Sequence, residues 1–230
     1  MTRTTNARLA GFTFLFYIAV GIASMVLFNQ ATRGAEGTAA TLASIARHAP
    51  LVRLTAVLTL FTFFAAMVLA VTLYALTRDQ DRDLALLALC CRAGEGVINA
   101  VATVRTLGLL SVATASAAAA TPDATATALG DQLLKMGGQY YLVGATCFAV
   151  GSTLYAYLFL RARSIPVALA GLGVFASILV AICVPLQLAG VVLPSWLALA
   201  MWLPMLAFEV TLALWLIIKG VAAPSRGPSS

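Results

Sequence analysis

The sequence predicts an all-α polytopic membrane protein: a bundle of six transmembrane helices with both termini cytoplasmic. Three observations carry that prediction. The hydrophobic fraction is 62% and the charged fraction only 10%, against about 45–50% and about 25% in a soluble domain. The apolar residues gather into six long runs, each near the roughly 20 residues needed to cross a hydrocarbon core. The ionisable residues stand in ones and twos beside these runs. The formal charge of +6 therefore reads as membrane topology, not as a basic patch for nucleic acid.

The elements follow in order. Span one is predicted over residues 9–28, after Arg3 and Arg8. Its start resembles a signal peptide. The apolar run is longer than the usual core of about 7–15 residues, and no small-residue cleavage site follows closely, so a retained helix is expected. Residues 29–50 form a first external loop, in which Thr38–Arg47 has helical composition and Pro50 precedes the next span. Span two covers 51–77 and is rich in Phe. The charged segment Arg78–Asp83 follows, and Asp83 is placed to cap span three, 83–112. Residues 113–138 are read as a polar, Ala-rich external loop with a turn at Pro122-Asp123. Span four covers 139–160. Span five covers 166–190, with Pro166 in a first helical turn. Span six covers 196–219. Residues 1–222 thus make a single transmembrane domain, and the Pro/Ser/Gly-rich tail 223–230 is expected to be disordered.

An even number of spans puts both termini on one side. That side holds eight Lys and Arg (Arg3, Arg8, Arg78, Arg82, Arg161, Arg163, Lys219, Arg226) and the other holds four (Arg33, Arg47, Arg53, Lys135). The excess predicts cytoplasmic termini. The remaining two, Arg92 and Arg105, fall inside span three.

A charge at bilayer depth is costly, faces the protein interior and has a partner. Arg92, Glu95, Gly96, Asn99, Thr103 and Thr106 recur at helical spacing, so they share one face of span three. At about 1.5 Å per residue, Arg92 lies roughly 14 Å beyond Asp83 and Glu209 roughly 15 Å from Lys219. The two match in depth near the middle of a core about 30 Å thick. Spans three and six are therefore expected to touch, with Arg92 bracketed by Glu95 and Glu209 and Asn99 joining. One guanidinium has donors enough for two carboxylates. The trio leaves one net negative charge if all three are ionised, which invites a proton or a cation.

Other polar residues read as structural. Arg105, on the opposite face, is expected to snorkel to the interface. Gln187 is expected to hydrogen-bond between helices or to line an external vestibule, the former being favoured. Ser152, Thr153, Tyr155 and Tyr157 could extend a polar pocket, but suit helix–helix bonding and interfacial anchoring better. Trp196 and Trp202 suit an aromatic belt. Small residues such as Gly144, Ala149, Gly171 and Gly173 permit close helix approach. The four cysteines, Cys90, Cys91, Cys147 and Cys183, lack metal-ligand spacing and read as buried free thiols. The one histidine, His48, lies in a loop. No metal or cofactor is implied, and no phosphate-binding loop, HExxH or GxSxG occurs. No paired, interrupted helices mark two transporter-like halves.

Four blocks in one order carry a resemblance: Ala7–Phe12, the Arg92 region, Tyr157–Arg161 with Ile165-Pro166, and Phe208–Gly220, whose ALWLIIKG ending is the most distinctive. Together they resemble the bacterial membrane family of unknown function DUF4386, over nearly all of residues 7–221. The resemblance implies six helices and a bacterial inner membrane, and no activity.

The expected function is that of a non-enzymatic membrane protein. It would bind or move a small or lipid-like ligand through a polar pocket at Arg92, Glu95, Asn99 and Glu209, with membrane lipid as its surroundings. The alternative is an accessory or interaction protein in which that cluster is a purely structural ion-pair network. A lipid-modifying enzyme with Glu95 or Glu209 as base ranks last, since no nucleophile accompanies the carboxylates.

Overall fold

The computed structural model describes residues 1–118 and 124–222. Among these, all regular structure is helical: α1 Arg3–Thr32, α2 Gly37–Arg47, α3 Ala49–Thr77, α4 Arg82–Ala118, α5 Ala124–Ala162, α6 Val167–Leu188, α7 Ser195–Ala200 and α8 Trp202–Ile218. Among the described residues, six segments are long and apolar enough to cross a membrane: α1, α3, α4, α5, α6, and α7 with α8 as Ser195–Ile218.

The expected loop over 113–138 is corrected. Its described residues are helical, as α4 runs to Ala118 and α5 starts at Ala124. Alanine is the strongest helix former, and polarity alone does not stop a helix. The turn at Pro122-Asp123 and the tail 223–230 lie outside the described residues.

The cap of α4 is also corrected from Asp83 to Asp81, whose carboxylate accepts the Leu84 N–H at 3.1 Å. The residue just before a helix is the one whose side chain reaches back to its free N–H groups. The last span is interrupted at Met201, between α7 and α8. Pro204 explains the break: it has no N–H for the carbonyl of Ala200, four residues earlier, and its ring crowds that carbonyl.

The chain divides into two compact units. The first comprises Met1–Phe16, Ala65–Gly96 and the residues from Leu142 onward. Its core takes Leu69, Leu73 and Leu76 from one face of α3, Leu158 and Phe159 from α5, and Leu212 and Leu216 from α8, all essentially inaccessible. The Tyr155 hydroxyl of α5 donates to the Ala70 carbonyl of α3 at 2.9 Å. At one end of this unit, Arg3 pairs with Asp79 at 3.2 Å and Arg161 with Asp81 at 3.3 Å. Such exposed pairs add little stability. Gln187 donates to the Cys183 carbonyl of its own helix at 3.4 Å, not to another helix as expected. One turn back along a helix is the nearest carbonyl such a side chain can reach.

The second unit comprises Tyr17–Phe64 and Val97–Tyr141. The short α2 buries Leu42 and Ile45, three residues apart, against Ala31, Val52 and Leu109. Its Ser44 hydroxyl donates to the Ala31 carbonyl at 2.8 Å. Arg105, expected to reach the interface, finds partners on the protein. Its Nη1 donates to the Leu133 carbonyl of α5 at 2.9 Å, and its Nη2 to the Thr106 hydroxyl at 3.2 Å. Gly137, one turn beyond Leu133, makes that approach possible, since a Cβ there would stand 2.5 Å from Arg105 Nη1. Gly137→Ala should push the guanidinium off the carbonyl, and the loss of one hydrogen bond, about 1 kcal/mol, should cancel the roughly 1 kcal/mol that alanine gains in helix propensity. Thermal unfolding of the detergent-solubilised chain reads that balance. A midpoint raised above wild type would show that the contact carries no weight.

Candidate functional site

Helix α4 presents Arg92 and Glu95 one turn apart, on the same face. Arg92 Nη1 stands 3.0 Å from Glu95 Oε2, and the two side chains are only 1% and 4% exposed. Removing both charges from water at the same place costs several kcal/mol per ion, which the close pairing offsets. A second contact holds the guanidinium from α5, where its central carbon sits 4.7 Å from the centre of the Phe148 ring. A desolvated cation over an aromatic face is attracted by the ring quadrupole. The Phe148 ring in turn lies 6.2 Å from Trp202, the first residue of α8.

Gly151 lets α5 come this close. A Cβ at 151 would sit 3.1 Å from Arg92 Cγ and from Cys91 Cβ, and 3.2 Å from the Ala88 carbonyl oxygen. A side chain at 151 would need Arg92, Cys91 or the α4 backbone to give way by a few tenths of an ångström at this level.

Beside the ion pair lies a small cavity lined by residues of α1, α3, α4, α5 and α8, with Arg92, Ser152, Tyr155 and Glu209 as its polar members. All four are buried. The volume open to the centre of a water molecule is about 10 Å³, room for about one water and no more. Glu209 is close enough to Arg92 and Glu95 for both to act on its charge.

The structure thus brings together three of the four residues expected to form the site. Arg92 and Glu209 line one cavity, and Glu95 pairs with Arg92. Asn99 belongs to the second compact unit, is half-buried, and its backbone carbonyl accepts the Thr103 hydroxyl at 3.1 Å. The threonines of the same stripe spend their hydroxyls on their own helix, Thr106 donating to the Ala102 carbonyl at 3.0 Å. Two residues that shape the site, Phe148 and Gly151, escaped the sequence reading. Their signal is spacing: Phe148, Gly151, Ser152, Tyr155 and Phe159 recur along one face of α5.

Among the described residues no group of three His, Cys, Asp or Glu is placed to hold a metal ion. All four cysteines are free thiols; Cys183 is buried, Cys91 and Cys147 are half-buried, and Cys90 is exposed rather than buried as expected. One guanidinium and two carboxylates, walled by apolar side chains, make up this buried charged centre.

A family model described as a domain of unknown function, DUF4386, matches residues 9–220. No curated protein and no solved structure matches the chain.

Proposed function

The chain belongs to the DUF4386 family, and from that premise we propose that it is a multi-pass protein of the bacterial plasma membrane, with cytoplasmic termini, that takes a small cationic ligand into the polar centre at Arg92, Glu95 and Glu209. The ligand is a proton or a cation of similar modest size. The observation that carries this reading is the cavity shared by Arg92 and Glu209. With Glu95, these groups sum to one net negative charge when all are ionised, and an uncompensated buried charge is costly enough to recruit a counter-charge. The volume favours a small ligand over a lipid-like one, since it admits about one water.

A second reading has its own support. The short Arg92–Glu95 pair and the ring over Arg92 also suit a structural network that fixes helix register in an accessory membrane protein.

Reconstitution separates the two readings. The full chain is placed in lipid vesicles containing a pH-sensitive dye, a membrane potential is imposed, and proton entry is followed. Wild-type vesicles should take up protons faster than empty ones, and Glu209→Gln should return the rate to that of empty vesicles while keeping its helix content. Wild-type vesicles no faster than empty ones, with proton or with sodium or potassium gradients, would end the transport reading and leave the structural network.

A further inference from the structure

Resting on that reading, we infer that the ligand is a proton, exchanged with Glu209 through a single water that the Ser152 hydroxyl holds in the cavity beside Arg92. Ser152, Arg92 and Glu209 line one space from three sides of the chain, α5, α4 and α8. The space is the size of one water, and a buried water needs two to four polar partners. An Arg92 N–H, the Glu209 carboxylate and the Ser152 hydroxyl supply three. The fourth polar lining group, Tyr155, already commits its proton to the Ala70 carbonyl.

The same inventory disfavours a metal cation. Hard cations such as Ca²⁺ and Mg²⁺ surround themselves with about six oxygens or more. The side-chain oxygens lining this cavity come only from Glu209, Ser152 and Tyr155. The Arg92 guanidinium lines the same space and repels any second fixed cation there. A proton needs no such shell, because it ends in a covalent O–H bond. The transfer balances without a co-reactant. A hydronium at the cavity mouth gives its proton to the held water as one of that water's own O–H bonds breaks and the Glu209 carboxyl O–H forms, so both waters are left neutral.

The groups facing Glu209 define its setting. Arg92 and Glu95 act on it from α4, and α5 presents Tyr155 and Ser152. Leu73 of α3 and Phe14 of α1 contribute only apolar surface. Further off, Cys147 interacts with Glu95, and Cys90 and Cys91 with Tyr155.

Infrared difference spectroscopy of the reconstituted full chain tests the assignment. Acidification should raise the carbonyl stretch of a protonated carboxyl, and that band should shift in D2O. Glu209→Gln should remove it. Ser152→Ala should keep the band but slow its hydrogen–deuterium exchange about tenfold, the equivalent of one lost hydrogen bond, and Ser152→Thr should restore the rate. A band that survives in Glu209→Gln places the proton elsewhere and overturns the proposal. So does a band removed by sodium or potassium at constant pH. Exchange at the wild-type rate in a folded Ser152→Ala chain, or in Ser152→Val if the alanine variant fails to fold, removes the role given to Ser152. Failure of the broader reading looks different: an exchanging Glu209 band without vesicle proton flux retains the proton site and ends transport, whereas flux without the band does the reverse.

Discussion

Arg92→Ala is expected to destabilise the protein by about 3–5 kcal/mol, because it strands a carboxylate in a low-dielectric interior. Glu95 is 3% exposed and stands one turn from the missing guanidinium. Glu209 loses the cation that lines its cavity. The loss of cation–aromatic contact with Phe148 adds to the deficit. Thermal or denaturant unfolding in detergent measures it. The informative partner is a double replacement, Arg92→Met with Glu95→Leu, which removes both charges while keeping volume. Replacing a buried ion pair by apolar groups of similar size is often neutral or stabilising. The double variant should therefore recover most of what Arg92→Ala loses. Stability that stays as low as in the single variant would mean that the Arg92–Glu95 pairing does not organise this centre, and that the loss comes from packing or from Glu209 left without its cation.

Gly11→Ala should cost about 1–3 kcal/mol, as expected for forcing a methyl group into a filled contact. The added Cβ would lie 2.6 Å from the Ala213 carbonyl oxygen and 2.6 Å from Ile217 Cγ1. The first is backbone of α8 and has no rotamer by which to yield, so the start of α1 must move away. Gly21 provides the control on the same helix, for nothing lies within 4 Å of a Cβ built there. Gly21→Ala should be neutral or stabilising by up to about 1 kcal/mol, the difference in helix propensity between the two residues. Unfolding midpoints of both variants decide the matter. Equal effects at the two positions would show that the α1–α8 contact is not tight.

The legible part of this protein was local. Six apolar segments follow from composition, since a helix that must satisfy its own backbone in lipid needs only length and hydrophobicity to be recognised. Arg92, Glu95 and Glu209 stood out because charge is rare in such segments, and all three are buried. Errors came where a side chain's partner had to be guessed. Arg105 looked like an interfacial residue, and what went unread is its protein partner, a carbonyl of α5 one turn from Gly137. No property of Arg105 alone reveals that. The segment 113–138 looked like a loop because it is polar, while its alanines carried α4 and α5 onward.

The chain on its own determined that six long apolar helices form and that Arg92, Glu95 and Glu209 fall inside them, because hydrophobicity is a property of each segment taken singly. The tertiary structure alone decided that Glu209 shares a cavity with Arg92, that Phe148 covers the guanidinium, and that Gly151 admits α5 to that depth. Helical periodicity fixes which residues share a face, but the rotation of each helix and its choice of neighbour come from the fit of small and large side chains on different helices, a quantity that no single segment contains.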